Sequence, residues 1–143
     1  MADVSGPMFA KGPAGTMGFV RHLKSGGMAT ILFDLHDSEG VAIPFLGRPA
    51  LTSLSAATLA LRFDAALIPY WGIRRPDGMG FDILLEPPIA PSDPLTMTTA
   101  MTASLEQQVR RNPGQWFWLH RRWKGVSPAA APPGSAPDHP PAG

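Results

Sequence analysis

Apolar residues recur at helical spacing in three stretches of this 143-residue chain. Residues 16–24 predict a short helix capped by Thr16, and residues 50–63 predict a second helix rich in small side chains. Asp93 and Pro94 favour the start of a long third helix that ends before Pro113. Apolar side chains recur every four residues along this helix and should form its buried stripe: Met97, Met101, Leu105 and Val109.

Extended segments alternate with these helices. Residues 28–33 form a continuous apolar run, which is typical of a strand buried on both faces, and residues 41–45 follow as a second extended segment. Residues 66–73 predict a further strand, which the turn signal Pro76-Asp77-Gly78 joins to residues 80–86 as a hairpin. This order predicts an α/β fold with a mixed sheet flanked by helices.

The two ends of the chain differ in composition from the middle. Residues 1–15 hold five Gly or Pro without periodicity and predict an irregular segment. Residues 125–143 contain six prolines and few apolar side chains, so they predict a disordered tail. We therefore expect one domain over residues 16–124.

The charge pattern narrows the classes of partner. The net charge of +1 argues against a nucleic-acid partner, but five of the twelve Lys and Arg residues lie between Arg110 and Lys124. The longest apolar run, residues 28–33, is far shorter than the about twenty residues of a spanning helix. We therefore expect any contact with a membrane to be at its surface.

The segment 113–124 combines three tryptophans with this positive charge. Read as an amphipathic helix, it suits a membrane headgroup layer, because indoles are half apolar and guanidinium groups pair with phosphate. The alternative is a helix that packs its tryptophans into the core and leaves its arginines in water. Instead of meeting lipid phosphates, one arginine can also pair with Glu106 on the preceding helix. The candidates for membrane or lipid-phosphate contact are Trp116, Trp118, His120, Arg121, Arg122, Trp123 and Lys124.

Two further arginines are candidates for binding anions. Arg48 precedes a predicted helix N-terminus, where a phosphate can bind, or it is a solvated surface residue. Arg74, at a strand end with Arg75, can bind a sugar phosphate, or these arginines pair with Asp77 and Asp82 across the hairpin. No metal site is predicted, because no histidines or carboxylates have ligand spacing.

Several ordered motifs carry a family resemblance. They are Phe45-x-Gly47-x4-Thr52, the 66–74 strand ending in Arg, Asp77-Gly78, Glu86-Pro87-Pro88, Glu106 and Pro113-x-Gln115-Trp116-x-Trp118-x-His120-Arg121-Arg122-Trp123-Lys124. Over residues 17–124 the chain resembles the bacterial lipid A late acyltransferases, the lauroyl/myristoyl-type branch of the lysophospholipid acyltransferase superfamily. The resemblance implies transfer of a fatty acyl chain from acyl carrier protein or acyl-CoA to a glycolipid or lysophospholipid hydroxyl, without a further cofactor. It also implies a peripheral location on the cytoplasmic face of a bacterial inner membrane.

The chain departs from this family in its histidines. The family's chemistry rests on a His-x4-Asp/Glu motif whose imidazole deprotonates the acceptor hydroxyl. None of His22, His36, His120 and His139 is followed by a carboxylate at that spacing, so no catalytic residue is assigned. The resemblance then implies the C-terminal half of a longer, truncated enzyme, inactive by itself, and the alternative is a non-catalytic membrane- or lipid-binding remnant.

The resemblance also points to the residues after the 28–33 run. The family has Asp followed by Gln there, facing the acceptor pocket, whereas this chain has Asp34-Leu35-His36-Asp37. Asp34 and His36 are therefore expected to line that pocket at an open rim, or else to form a polar turn in which Asp34 bonds nearby backbone N–H groups. The runs 28–33 and 66–73 should then be neighbours in one sheet.

Overall fold

The computed structural model describes residues 8–9 and 13–126. Its elements are α1 (Pro13–Lys24), β1 (Val41–Phe45), β2 (Arg48–Thr52), α2 (Ser55–Arg62), β3 (Tyr70–Arg74), β4 (Phe81–Leu85), α3 (Pro94–Arg111) and a single 3₁₀ turn over Pro113–Gln115. Because α1 begins at residue 13, the irregular segment expected over residues 1–15 is shorter where it is described. The disordered tail predicted over residues 125–143 lies outside the described residues apart from Gly125 and Val126.

The predicted mixture of helices and strands is confirmed, but the strands form two separate antiparallel hairpins. In the first, β1 pairs with β2, and both turn residues, Leu46 and Gly47, have positive φ (51° and 76°), as a two-residue type I′ turn requires. In the second, β3 pairs with β4 around the predicted turn, where Gly78 has φ 72°. In the described residues the strands thus form two antiparallel pairs rather than one mixed sheet.

The strand predicted over residues 28–33 does not form. This segment is extended but outside both sheets, and Met28 and Leu32 are 93% and 74% exposed. No strand runs beside it in the described part of the chain, so its backbone has no ladder partner. Its expected pairing with residues 66–73 is therefore wrong.

The strand predicted over residues 66–73 begins late, at Tyr70. Residues before it still meet the chain after β4, because Glu86 N–H donates to Pro69 O and Ile89 N–H donates to Leu67 O. Proline has no N–H, and three prolines fall in these two stretches, so a regular ladder cannot continue. These prolines are Pro69, Pro87 and Pro88.

The helix predicted over residues 50–63 is shorter than expected, because residues 50–52 pair with β1 instead. Observed α2 buries three small side chains, Ala56, Ala57 and Ala60, and thereby approaches α3 closely. The chain then turns at Asp64, a non-glycine residue with φ 50°. Competition from the hairpin register therefore decides where this helix starts.

The long helix α3 forms with the predicted bounds and cap. The Asp93 carboxylate accepts the backbone N–H of Thr96 at 2.9 Å, and Pro94 occupies the first turn. The predicted stripe is buried, and it joins two core clusters. The first cluster holds Phe45, Ala50, Leu105 and Val109, and the second holds Ala57, Ala60 and Met97.

The amphipathic helix predicted in segment 113–124 is absent. After the 3₁₀ turn the chain continues as successive tight turns, in which Trp118 N–H donates to Trp116 O and Arg122 N–H donates to His120 O. Trp116 and Trp123 point to the core together with the buried Arg122, whereas Leu119, which a helix would place on the face of the two tryptophans, is exposed along with Phe117 and Trp118.

Candidate functional site

Asp34 lies at a cleft of about 170 Å³ between α3, β3 and Trp116. Apolar and aromatic groups form most of its walls, and side-chain amides complete them. Asp34 is the one ionisable side chain in that lining, as far as the structure describes the chain. The lining residues are Asp34, Trp71, Gly72, Ile73, Leu105, Gln108, Val109, Asn112, Gln115 and Trp116.

The loop that carries Asp34 is held by its next residues. His36 N–H donates to His120 Nε2 at 2.9 Å, and Asp37 N–H donates to Leu51 O at 3.3 Å. Asp37 also forms the local turn, because its carboxylate accepts Glu39 N–H at 3.1 Å. Among the described residues the Asp34 side chain accepts no hydrogen bond from nearby backbone, so the alternative of a polar turn applies to Asp37 instead.

His36, the second candidate for the pocket, is not among the residues that line the cleft. Its ring nitrogen Nδ1 is buried and has no hydrogen-bond partner within residues 8–9 and 13–126. The loop over residues 34–37 therefore brings Asp34, but not His36, to the cleft. His120 contacts the same loop from segment 113–124 rather than facing solvent.

Arg122 was predicted to meet lipid phosphates, and that prediction is wrong. Its side chain is fully buried, with Nη1 donating to Leu51 O and Nη2 donating to Thr52 Oγ1, both at 2.6 Å. Burial lowers the pKa of Arg122, and the negative charge of Asp34 partly opposes that shift. The buried cation of Arg122 is thus part of the structure that surrounds the loop over residues 34–37.

Two of the predicted interfacial tryptophans pack on the core instead. Trp116 and Trp123 each lie 5.7 Å from Phe45 between ring centroids, and Trp123 is nearly parallel to it at 21°. Arg48, the predicted anion ligand, lies over the ring of Trp123 with its guanidinium carbon 5.3 Å from the ring centroid. The alternative that packs these tryptophans inward therefore describes Trp116 and Trp123.

Arg74, the last residue of β3, is not among the residues that line the cleft. Its guanidinium stacks on Phe81 at 4.6 Å, and its backbone N–H and C=O both bond the side-chain amide of Gln115. Arg75 pairs with Asp82 across the hairpin at 2.7 Å, which is the pairing predicted as an alternative to phosphate binding. Gln115 thereby occupies the backbone edge of β3 and fixes the Trp116 wall.

A hydrogen-bond network around the Glu86 carboxylate braces the part of the cleft wall that Trp71 and Gln108 form. Glu86 accepts Trp71 Nε1–H at 2.7 Å, Ser104 Oγ–H at 2.5 Å and a Gln108 amide N–H at 3.1 Å. Burial raises the pKa of Glu86, but these hydrogen bonds and the charge of Arg111 outweigh it and hold the pKa below 4.5. Two cleft residues, Trp71 and Gln108, are therefore fixed by one ionised group.

Another carboxylate joins α3 to the first hairpin. Glu106 accepts Leu46 N–H at 2.7 Å and pairs with Arg110 at 2.7 Å. Its predicted partner among the arginines of segment 113–124 is thus replaced by an arginine one helical turn away. The hydrogen bonds from Arg110 and Leu46 keep the pKa of Glu106 below its usual value.

An exposed patch with apolar and cationic residues remains beside the cleft. Phe117, Trp118 and Leu119 are 67%, 53% and 84% exposed, and Arg121 and Lys124 are exposed next to them. We call these five residues the 117–124 patch. No helix in the described residues is long and apolar enough to cross a membrane, and the same residues contain no cluster of three potential metal ligands.

Sequence reasoning missed the cleft residues of β3 and α3. One signal was present for Gln108, because this long polar side chain lies beside Leu105 and Val109 on the buried face of α3. Trp71 offered no such signal, since its position within an apolar strand is equally typical of core packing. Its role depends on Glu86, fifteen residues away.

Comparison with known proteins identifies the family. The sequence model of one protein family, the bacterial lipid A biosynthesis acyltransferases, matches residues 5–125. The chain is 33% identical over 114 residues to the lipid A biosynthesis lauroyltransferase of Escherichia coli (strain K12). That alignment covers 75% of this chain and 37% of the relative. The chain therefore belongs to the bacterial lipid A biosynthesis acyltransferase family, and it spans little more than a third of the length of this relative.

Proposed function

We propose that this chain supplies the acceptor-side part of an enzyme that transfers a fatty acyl group to a glycolipid hydroxyl in lipid A biosynthesis. The acyl donor is a thioester of acyl carrier protein or coenzyme A. The observation that carries the proposal is the cleft in which Asp34 is the one ionisable lining group of the described chain, in a member of this acyltransferase family. Tryptophan faces and side-chain amides are groups that suit a hydroxylated ring.

The size of the cleft limits what binds there. About 170 Å³ is below the roughly 300–1,000 Å³ of a site for a drug-sized ligand. It suits one ring or one end of an acyl chain rather than a whole glycolipid. We therefore assign the cleft to the part of the acceptor that carries the reacting hydroxyl.

Asp34 has two chemical roles available in that cleft. A carboxylate can accept a hydrogen bond from the acceptor hydroxyl, or it can orient an imidazole that removes the hydroxyl proton. No histidine lines the cleft within the described chain, and the printed sequence contains no His-x4-Asp/Glu motif. We therefore propose that Asp34 binds and orients the acceptor hydroxyl. We also propose that the 143-residue chain alone has no acyltransferase activity.

The 117–124 patch supports surface attachment to a membrane. Phe117, Trp118 and Leu119 offer apolar area, and Arg121 and Lys124 can pair with lipid phosphates. We propose that the patch lies on the cytoplasmic face of a bacterial inner membrane as a peripheral contact. It would place the adjacent cleft near a lipid acceptor.

A chimera tests the proposed function. Residues 17–124 replace the aligned stretch of the Escherichia coli lauroyltransferase, and acyl transfer is measured from lauroyl-acyl carrier protein to a lipid A precursor. We expect activity from the chimera and none from the isolated chain. Asp34→Asn should lower kcat/KM by about 100-fold, whereas the control Asp82→Asn, on β4 and outside the cleft lining, should not.

The second candidate function is a non-catalytic lipid-binding protein, which the missing motif favours. A folded chimera that binds the lipid A precursor but transfers no acyl group would support this second function and overturn the first. An Asp34→Asn chimera with full activity would remove Asp34 from the proposed site.

A further inference from the structure

The loop over residues 34–37 is attached to the rest of the fold through two backbone N–H groups. One attachment is direct, from His36 N–H to His120 Nε2 at 2.9 Å. The other runs from Asp37 N–H to Leu51 O at 3.3 Å. Both follow Asp34 closely in sequence, so they fix where the Asp34 carboxylate enters the cleft.

Arg122 completes the second attachment. Its Nη1 donates to the same Leu51 carbonyl at 2.6 Å, so that one oxygen accepts from both Arg122 and Asp37. Its Nη2 donates to Thr52 Oγ1, which in turn donates to Ala50 O at 3.0 Å. The guanidinium thus holds strand β2 at the carbonyl that also accepts the loop's Asp37 N–H.

We propose that Arg122 is a positioning residue for Asp34, acting together with His120 through the two backbone attachments of residues 34–37. The functional role of Asp34 in this assignment rests on the proposed function. The contacts of Arg122 and His120 do not depend on it. It gives the His120-Arg121-Arg122 sequence a role inside the site: His120 and Arg122 hold the loop, and Arg121 between them is exposed.

The burial of Arg122 argues against a role in packing alone. A fully buried guanidinium is costly unless its donors and its charge are matched. Here Nε has no partner among the described residues, while Leu51, Thr52 and Phe45 contact the rest of the group. Asp34 supplies opposite charge, since it raises the pKa of Arg122 against the lowering by burial. A methionine would fill this space without the desolvation cost. The presence of a cation is therefore explained by its hydrogen bonds to Leu51 and Thr52.

Amide hydrogen exchange on the full 143-residue chain tests the geometry without any catalysis. In Arg122→Met, the amide of Asp37 should exchange at least about tenfold faster while amides of α3 keep their rates. Arg122→Lys retains a buried cation and should restore part of the protection. Arg121→Met is the matched control and should change neither amide.

His120→Ala isolates the other attachment and should accelerate exchange at His36 more than at Asp37. If Arg122→Met does not fold, Thr52→Val, which removes the acceptor of Nη2 together with the local hydrogen bond to Ala50 O, carries the same test with a smaller expected effect. Unchanged exchange at Asp37 in the variant that folds, or equal acceleration throughout α3, would show that Arg122 serves packing alone and overturn the proposal.

A double-mutant cycle in the lauroyltransferase chimera tests the consequence for the reaction. If Arg122 acts through Asp34, the pair Arg122→Met and Asp34→Asn should lose no more than about threefold in kcat/KM beyond Asp34→Asn alone. Full additivity of the two losses would contradict the positioning role. A chimera without activity would count against the proposed function, whereas the exchange result would still decide whether Arg122 holds the loop.

Discussion

Trp123 stacks on Phe45, with 5.7 Å between ring centroids and 21° between planes, and its indole N–H donates to the Phe45 carbonyl at 3.3 Å. Phe45 is fully buried at the end of β1, and it also contacts Leu105 and Val109 of α3 through the first core cluster. The tryptophan-rich segment therefore closes the core on one side and exposes the 117–124 patch on the other.

The packing of Trp123 predicts a large difference between two aromatic substitutions. Trp123→Ala should lower the free energy of unfolding by about 3 kcal/mol, because it removes the stacked ring and leaves a cavity beside Phe45. Phe117→Ala, at a side chain that is 67% exposed, should cost less than about 1 kcal/mol. Urea denaturation followed by circular dichroism measures both, and equal losses would contradict the packing described for Trp123.

The 117–124 patch predicts salt-sensitive binding to anionic vesicles. Arg121→Glu/Lys124→Glu should weaken co-sedimentation by at least about tenfold, since each cation near an anionic surface contributes about 1 kcal/mol. Lys24→Glu/Arg62→Glu makes the same change in net charge on α1 and α2 and serves as the control. Phe117→Ser/Leu119→Ser should weaken binding even at high salt.

Arg122 is unsuitable for that vesicle experiment because it is buried, so its charge reversal would report on folding. If the two double charge reversals weaken binding equally, the interaction follows net charge and the patch is not a membrane contact. Insensitivity to salt would likewise contradict an electrostatic contact.

Glu86 predicts a loss of stability in acid. Its pKa is lower in the folded chain than the usual 4.5, so the folded state binds fewer protons than the unfolded state. The resulting stabilisation is present above pH 4.5 and is lost as the pH falls through the lowered pKa. Glu86→Gln should cost about 1–3 kcal/mol at pH 7, and this difference from the unsubstituted chain should shrink in acid.

Denaturation midpoints between pH 7 and pH 3 measure this effect. Glu39→Gln is the control, because that side chain is exposed and has no ion pair among the described residues. A constant difference between Glu86→Gln and the unsubstituted chain across this range would show that the carboxylate is not linked to folding as its hydrogen bonds indicate.

The turn after α2 predicts a stabilising substitution. Asp64 has φ 50°, a conformation that glycine adopts without steric cost, and its negative charge lies near a helix C-terminus. Asp64→Gly should raise the free energy of unfolding by about 1 kcal/mol. Asp64→Ala removes the negative charge but not the backbone strain at positive φ, so it should raise the free energy of unfolding by less. Thermal unfolding compares the two, and a higher melting temperature for alanine would contradict the backbone argument.

The sequence by itself determined the elements whose causes are local. Asp93 and Pro94 set the start of α3, and its four-residue apolar spacing set the buried face, because capping and helical periodicity act within a few residues. The turn at Gly78 is local in the same way, and it produced the predicted second hairpin. The ordered motifs also identified the family, which the family model and the Escherichia coli relative confirm.

Only the tertiary structure decided which groups meet across long separations. The 28–33 run has strand-like composition, but a strand needs a neighbour, and none lies beside it in the described chain. Arg122 looked like a surface cation because Leu51 and Thr52, its acceptors, are about seventy residues away. A separation of 78 residues likewise hid the contact of Trp123 with Phe45. Burial and hydrogen bonding depend on these distant partners, so local composition could name Asp34 as a candidate but not the residues of β3 and α3 that line the cleft with it.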